Sequence, residues 1–146
     1  MRFVVPVVAL GACLTIACGD RKSSAGFRLP DGDPARGRVV FAEMKCHACH
    51  SVSGMANALP APVSEPVLPL GGEVPYAKTD GELVTSIIHP SHHIASAYAT
   101  SLQTKGGERN RMPDFSEAMS VRQMIDLVAF LQSRYEVVRP GTPPGD

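Results

Sequence analysis

The chain lacks a surplus of charge of either sign. Its 146 residues include 14 Lys and Arg against 14 Asp and Glu, so the formal net charge at pH 7 is zero. It has no basic stripe that would bind the phosphates of a nucleic acid. Beyond the first 17 residues it also lacks a long apolar run, so we expect contact with a membrane only through the N terminus.

The first 17 residues have the composition of an export signal. Arg2 supplies a charged start, and residues 3–17 are apolar apart from Thr15. This run is shorter than a helix that crosses a bilayer. The sequence therefore predicts that the chain is exported.

A cysteine follows a small residue at the end of this leader, which resembles the lipobox of bacterial lipoproteins. Cleavage before Cys18 would allow its thiol to carry a lipid, and Cys13 is an alternative with a very short hydrophobic core before it. A plain signal cut near Ala17 would instead leave Cys18 as an unpaired thiol in an oxidising compartment. We expect a lipoprotein tethered in the periplasm of a Gram-negative bacterium.

Residues 46–50 read Cys-His-Ala-Cys-His. Two thiols three positions apart can add to the two vinyl groups along one edge of a porphyrin, and the adjoining imidazole can then bind the iron. The motif predicts one c-type haem with Cys46 and Cys49 as its covalent anchors. His50 is the predicted axial ligand.

Three other uses of such a motif fit this sequence less well. A zinc site would need four ligands, and the histidines in residues 89–93 are not spaced with Cys46 and Cys49 as in a zinc finger or ribbon. A thioredoxin-like motif would follow a strand, whereas residues 39–45 resemble the end of a helix. A structural disulfide would leave His50 without a role.

Composition divides the chain into four parts. We expect a signal peptide at 1–17, a lipid-anchored tether at 18–30, one domain at 31–138 and a flexible tail at 139–146. Within the domain, residues 51–75 are rich in proline and should form an ordered loop. Residues 91–111 are mostly polar and should form a surface excursion.

Capping residues predict three helices. Asp33 can cap a helix that begins at Pro34 and leads into residues 46–50. Thr79 and Ser120 each begin a capping box, and apolar residues recur at helical spacing after both of them.

An iron held by one imidazole still has an open face, so a sixth ligand is needed for a pure electron carrier. Met112 is the preferred candidate, because Pro113 biases it toward an extended backbone in a loop that can project toward the iron. Met119 is the second candidate. His92 and His93 are the main candidates other than methionine.

Together these residues resemble the class I c-type cytochromes. The matching positions are residues 32–37 with Phe41, residues 46–50, residues 112–115 and residues 127–131. The resemblance implies an all-α, cytochrome c-like fold whose first and last helices cross around one covalently bound haem. It also implies that Gly37 and Phe41 pack near Phe130 at that crossing.

The chain departs from the family at the segment whose proline carbonyl accepts a hydrogen bond from the proximal histidine. Glu65 stands where the family has glycine, and Pro66 is the nearest match, so the resemblance implies Pro66 as the acceptor for His50. The long excursion at residues 91–111 is a second departure. Candidate partners for the haem propionates are Tyr76, Tyr98, Arg109 and Arg111.

The resemblance implies an electron carrier that is not itself an enzyme. One haem with His50 and Met112 as ligands would cycle between Fe(III) and Fe(II), and the donor and acceptor would be redox proteins of the periplasm or membrane. One alternative is a cytochrome subunit of a larger periplasmic oxidoreductase, with residues 91–111 as a docking element. Another is a ligand-binding haem sensor or enzyme in which Met112 is displaced or never bound.

Overall fold

The computed structural model describes residues 27–94 and 110–138. The expected signal peptide, both candidate lipidation sites at Cys13 and Cys18, and the tail at 139–146 lie outside these residues. Tyr98 and Arg109, two of the propionate candidates, also lie outside them. In the ranges that are described, no helix is both long enough and apolar enough to cross a membrane.

Within the described residues, three α-helices form the framework: α1 spans Pro34–Glu43, α2 spans Asp80–Ile88 and α3 spans Val121–Gln132. Their predicted caps are confirmed. Asp33 accepts hydrogen bonds from the backbone N–H groups that follow it, and Pro34 occupies the first turn. Thr79 and Ser120 each complete a capping box with the residue three positions later, which satisfies N–H groups that a helix start leaves unpaired.

In the part of the chain that the structure describes, four three-residue strands accompany the helices, so the expectation of an all-α fold is only partly met. β1 (His50–Val52) pairs with β2 (Leu68–Leu70), and β3 (Gly72–Val74) pairs with β4 (Tyr135–Val137), both in parallel. Three of them lie in the proline-rich part of the chain or directly before it. Because that part lacks helical periodicity, short ladders satisfy backbone groups that would otherwise be left unpaired.

The helices α1 and α3 cross in close contact and form the centre of the core. A Cβ atom added at Gly37 would collide with the backbone carbonyl of Asp126 and the side chain of Phe130, so only glycine allows this approach. Next to it, Phe41 and Phe130 meet edge to face, with ring centroids 5.6 Å apart and an interplanar angle of 62°. This confirms the crossing that the family resemblance implied.

A buried carboxylate also joins these two helices. Asp126 on α3 is 3% exposed, and its oxygens accept the Asp33 N–H at 2.8 Å and the Arg36 Nε–H at 2.9 Å. The hydrogen bond from Arg36 is the main cause that lowers the pKa of Asp126 below its usual value. The apolar periodicity of α3 gave no indication of this contact.

Hydrogen bonds join the segment before α1 to the start of α2, and join the residues just before α2 to α3. The Leu29 N–H donates to the Asp80 carboxylate at 2.9 Å, and Gln132 Nε2 donates to the Lys78 carbonyl at 2.5 Å. Leu29 also packs against the core. Ordered contacts thus extend into the segment that composition assigns to the tether.

Candidate haem site

A cavity of about 670 Å³ lies between the 46–50 motif, α2, α3 and the segment that leads into α3. Its walls are mainly apolar and come from elements far apart in sequence. They include Phe41, Leu70, Leu83, Ile87, Phe115, Leu127 and Leu131. Cys46 and His50 line this cavity, and so do the sixth-ligand candidates Met112, Met119, His92 and His93.

The first part of the motif forms a single 3₁₀ turn over Cys46–Ala48. Lys45 adopts the left-handed conformation, with φ of 56°, directly after α1, and this turns the chain sharply into the motif. Cys46 is half-buried and Cys49 is exposed, and both are free thiols. Burial raises the pKa of the Cys46 thiol to about 11, so this group is neutral at physiological pH.

The loop after β1 folds back against this turn. Backbone N–H groups of Val63 and Ser64 both donate to the Ala48 carbonyl at 3.0 Å, and the Leu68 N–H donates to the Cys49 carbonyl at 2.9 Å. The loop at residues 51–75, which was predicted to be ordered, therefore stabilises the motif through backbone hydrogen bonds.

The imidazole of His50 is held in one tautomer. Its Nδ1 lies 3.2 Å from the carbonyl oxygen of Leu68, and because a carbonyl can only accept, Nδ1 carries the hydrogen. Nε2 then keeps its lone pair, which is the form that binds a metal. Burial lowers the pKa of His50, although the Leu68 hydrogen bond acts in the opposite direction, and this burial favours the neutral ring.

The prediction that Pro66 accepts the hydrogen bond from His50 is wrong. The acceptor is the carbonyl of Leu68, two residues later, because β1 and β2 pair with His50 opposite Leu68. The sequence could not give this register, since it depends on how the proline-rich loop returns to the motif.

Met112 is half-buried, in a non-helical segment, as predicted. Its N–H donates to the side-chain Oδ1 of Asn110 at 3.0 Å. His89 also lines the cavity, and its ring lies 5.6 Å from that of His92, centroid to centroid. The structure thus brings every sixth-ligand candidate to the same cavity.

Among the propionate candidates, the structure describes Tyr76 and Arg111, and neither lines the cavity. Tyr76 is 60% exposed and lies beneath the ammonium of Lys78, while Arg111 donates to the Glu65 carbonyl at 2.9 Å. Polar groups that line the cavity, but that sequence reasoning missed, include Lys78, Glu82, Thr85, Ser86 and Tyr135. Thr85 and Ser86 follow the apolar residues of α2. Their position in the helical repeat was therefore the sequence feature that could have placed them at the cavity.

The donor set at this cavity fits a c-type haem. Cys46 and the neutral imidazole of His50 line the cavity, and apolar walls surround a volume large enough for a cofactor. Cys49 does not line the cavity and is exposed next to His50 in the chain. Across residues 27–94 and 110–138, no group of three or more His, Cys, Asp or Glu residues could hold a metal ion by itself. The zinc alternative therefore gains no support from the described part of the chain.

The family model for cytochrome c matches residues 34–134. The chain belongs to the cytochrome c family. Its cofactor is accordingly a covalently bound haem c, and its general role is electron transfer by that haem. The helical framework around the cavity agrees with the cytochrome c fold. Neither curated proteins nor solved structures gave a match to this cytochrome.

Proposed function

We propose that the protein is a class I, single-haem electron carrier. In this proposal Cys46 and Cys49 attach the haem, and His50 and Met112 are the axial ligands of its iron. The observation that carries the proposal is that His50 and Met112, from two separate segments, line one cavity while the Nδ1 of His50 is already engaged by Leu68. Only Nε2 of that ring is then left to bind iron.

The haem supplies a one-electron Fe(III)/Fe(II) couple, and the protein sets the conditions for it. The Leu68 carbonyl fixes the orientation of the His50 ring and increases its basicity as a ligand. A thioether from Met112 favours Fe(II) and raises the potential. Ligands that stay in place in both oxidation states limit the rearrangement that accompanies each electron transfer.

The surface around the motif suits brief contact with redox partners. Cys49 is exposed, and Val63, which lies over the motif through its bond to Ala48, is 86% exposed. In the proposal, the edge of the haem near Cys49 exchanges electrons with redox proteins of the periplasm or membrane. Such encounters commonly use small interfaces.

The proposed location follows from the leader alone. Residues 1–17 would direct export, and a lipid on Cys18 would tether the domain to the membrane on the periplasmic side. Mass analysis of the mature protein tests this directly. An N-terminal Cys18 that carries a diacylglycerol is the expected result, and a mature chain that starts elsewhere without lipid would contradict it.

The visible spectrum of the haem-containing protein tests the ligand assignment. The wild type should show a c-type spectrum with a weak far-red sulfur-to-iron band, and Met112→Ala should abolish that band. Met119→Ala is the matched control, because Met119 lines the same cavity and should keep the band. If the band survived in Met112→Ala, or disappeared in Met119→Ala, the assignment of Met112 would be wrong.

A ligand-binding haem sensor or enzyme is the second candidate. The observation in its favour is that Met112 comes from a non-helical segment, which could release the iron more easily than a helix would. Carbon monoxide binding to the reduced protein distinguishes the two candidates. A firmly bound methionine resists replacement, whereas rapid and tight binding of carbon monoxide would favour the second candidate.

Isolation of the native protein in a stable complex would instead indicate a subunit of a larger oxidoreductase.

A further inference from the structure

Asn110 connects the Met112 segment to the chain that leaves α2. Its Oδ1 accepts the Met112 N–H at 3.0 Å, and its Nδ2 donates to the Pro90 carbonyl at 2.9 Å. Its own backbone N–H donates to Ser91 Oγ, also at 2.9 Å. One residue therefore joins two segments that lie about 20 positions apart in sequence.

The first of these bonds alone would be an ordinary local turn. Asparagine side chains often accept the backbone N–H two residues later, and such a turn fixes only its own few residues. The bond from Nδ2 to Pro90 is different, because it joins the same side chain to a distant segment, at the residue that follows the C-cap of α2. Pro90 is itself buried, so this anchor is part of the domain interior.

Met112 needs such an anchor if it is a ligand. Its segment is not helical, so no ladder of helical hydrogen bonds fixes its backbone. A ligand on a loop holds a metal precisely only where neighbouring contacts fix that loop. The side chain of Asn110 provides one contact to the Met112 backbone and a second to the buried Pro90, just after α2.

We propose that Asn110 is a positioning residue for the sixth ligand, and that it holds Met112 at the iron through these two side-chain bonds. The inference rests on the proposed role of Met112. Loss of the side chain would let the Met112 segment move while the rest of the cavity stays intact. The iron would then accept exogenous ligands more readily.

Three variants of the haem-containing protein test this inference against the wild type. Asn110→Ala removes both side-chain bonds, whereas Asn110→Asp keeps an oxygen that can accept the Met112 N–H but loses the donor to the Pro90 carbonyl. Ser91→Ala is the matched control, since it removes only the bond to the Asn110 backbone. The readouts are the far-red sulfur-to-iron band and the affinity of the ferric protein for imidazole.

We expect Asn110→Ala to weaken the band and to bind imidazole about fivefold more tightly or more, the factor that corresponds to one net hydrogen bond. Asn110→Asp should also weaken the band, because it keeps the local turn but loses the anchor to Pro90. Ser91→Ala should match the wild type. Far-ultraviolet circular dichroism should show the same helix content in all four proteins. A reduced band together with lost helix content would indicate a folding defect and overturn the positioning role.

Other results would also overturn the inference. A wild-type band and affinity in Asn110→Ala would do so. A wild-type band and affinity in Asn110→Asp would do so as well, because the local turn alone would then be enough to hold Met112. A Ser91→Ala variant with the same defect would assign the effect to the backbone bond. Failure of the proposed function is separable, because it would appear as a wild-type spectrum without the band or as a band that survives in Met112→Ala.

Discussion

Asp126 on α3 and Arg36 on α1 form a two-point contact across the central helix crossing. Arg36 Nε lies 2.9 Å from Asp126 Oδ2, and its NH2 group lies 3.3 Å from Oδ1. The same carboxylate accepts the backbone N–H of Asp33, the residue that caps α1. One buried side chain thus fixes both the position of α1 along α3 and the start of α1.

Asp126→Asn should lower the melting temperature of the haem-containing protein. The amide nitrogen would face guanidinium hydrogens with no acceptor to offer, and the remaining oxygen could serve only part of the contact. The control is Asp31→Asn, because Asp31 is an exposed carboxylate just before α1. Thermal unfolding should show a larger drop in melting temperature for Asp126→Asn than for Asp31→Asn. Equal drops would contradict the prediction.

Acid should destabilise the fold through carboxylates whose pKa values are lowered. The bond from Arg36 lowers the pKa of Asp126, and the backbone N–H of Thr79 lowers the pKa of Glu82. A carboxylate with a lowered pKa contributes stability above its unfolded pKa, which is about 4. That contribution is lost as the pH falls through the lower folded value.

Melting temperatures from pH 7 to pH 2 check this expectation. Titration of these carboxylates should change the stability little between pH 7 and pH 5. Below about pH 4 their protonation should lower the stability. Asp126→Asn should show a shallower fall than the wild type, because it has one such carboxylate fewer. A parallel fall in both proteins would rule out Asp126 as a contributor.

Gly37→Ala should destabilise the protein by about 1–3 kcal/mol, the usual cost of forcing extra volume into a packed contact. The added methyl group would meet the backbone of Asp126, which cannot turn aside as a flexible side chain could. Arg38→Ala, on the exposed side of the same helix, is the control. Denaturant unfolding measures the free energy of unfolding of both variants. An unchanged value for Gly37→Ala would show that the two helices can move apart without cost.

Each cysteine of the motif should form its own thioether bond to the haem. After extraction with acidified organic solvent, haem should stay with the polypeptide in the wild type and in each single variant, Cys46→Ala or Cys49→Ala. It should be removed completely from the double variant, because no thioether bond then remains. Cys18→Ala, which changes a thiol outside the motif, should retain haem, and its loss there would contradict the assignment.

Much of the framework could be predicted from short stretches of sequence. Helix starts at Asp33, Thr79 and Ser120 depend on bonds between residues two or three positions apart, so their pattern is visible in the sequence. The Cys-x-x-Cys-His motif is equally local. The close packing of Gly37, Phe41 and Phe130 followed from the family resemblance and was confirmed.

The tertiary structure decided what depends on distant partners. Leu68, not Pro66, accepts the His50 hydrogen bond because the register of two short strands places it there, 18 residues away. The four short strands arise from loop segments whose pairing no periodicity encodes.

The sequence by itself therefore determined the helices and the haem-attachment motif, because neighbouring residues carry both. Only the tertiary structure decided which carbonyl holds His50, how Asp126 joins two helices and what holds Met112. Asp126 meets Arg36 across 90 positions and Asn110 meets Pro90 across 20, and such contacts form only when the whole chain has packed. The energies of these contacts come from burial and geometry, which a linear pattern does not record.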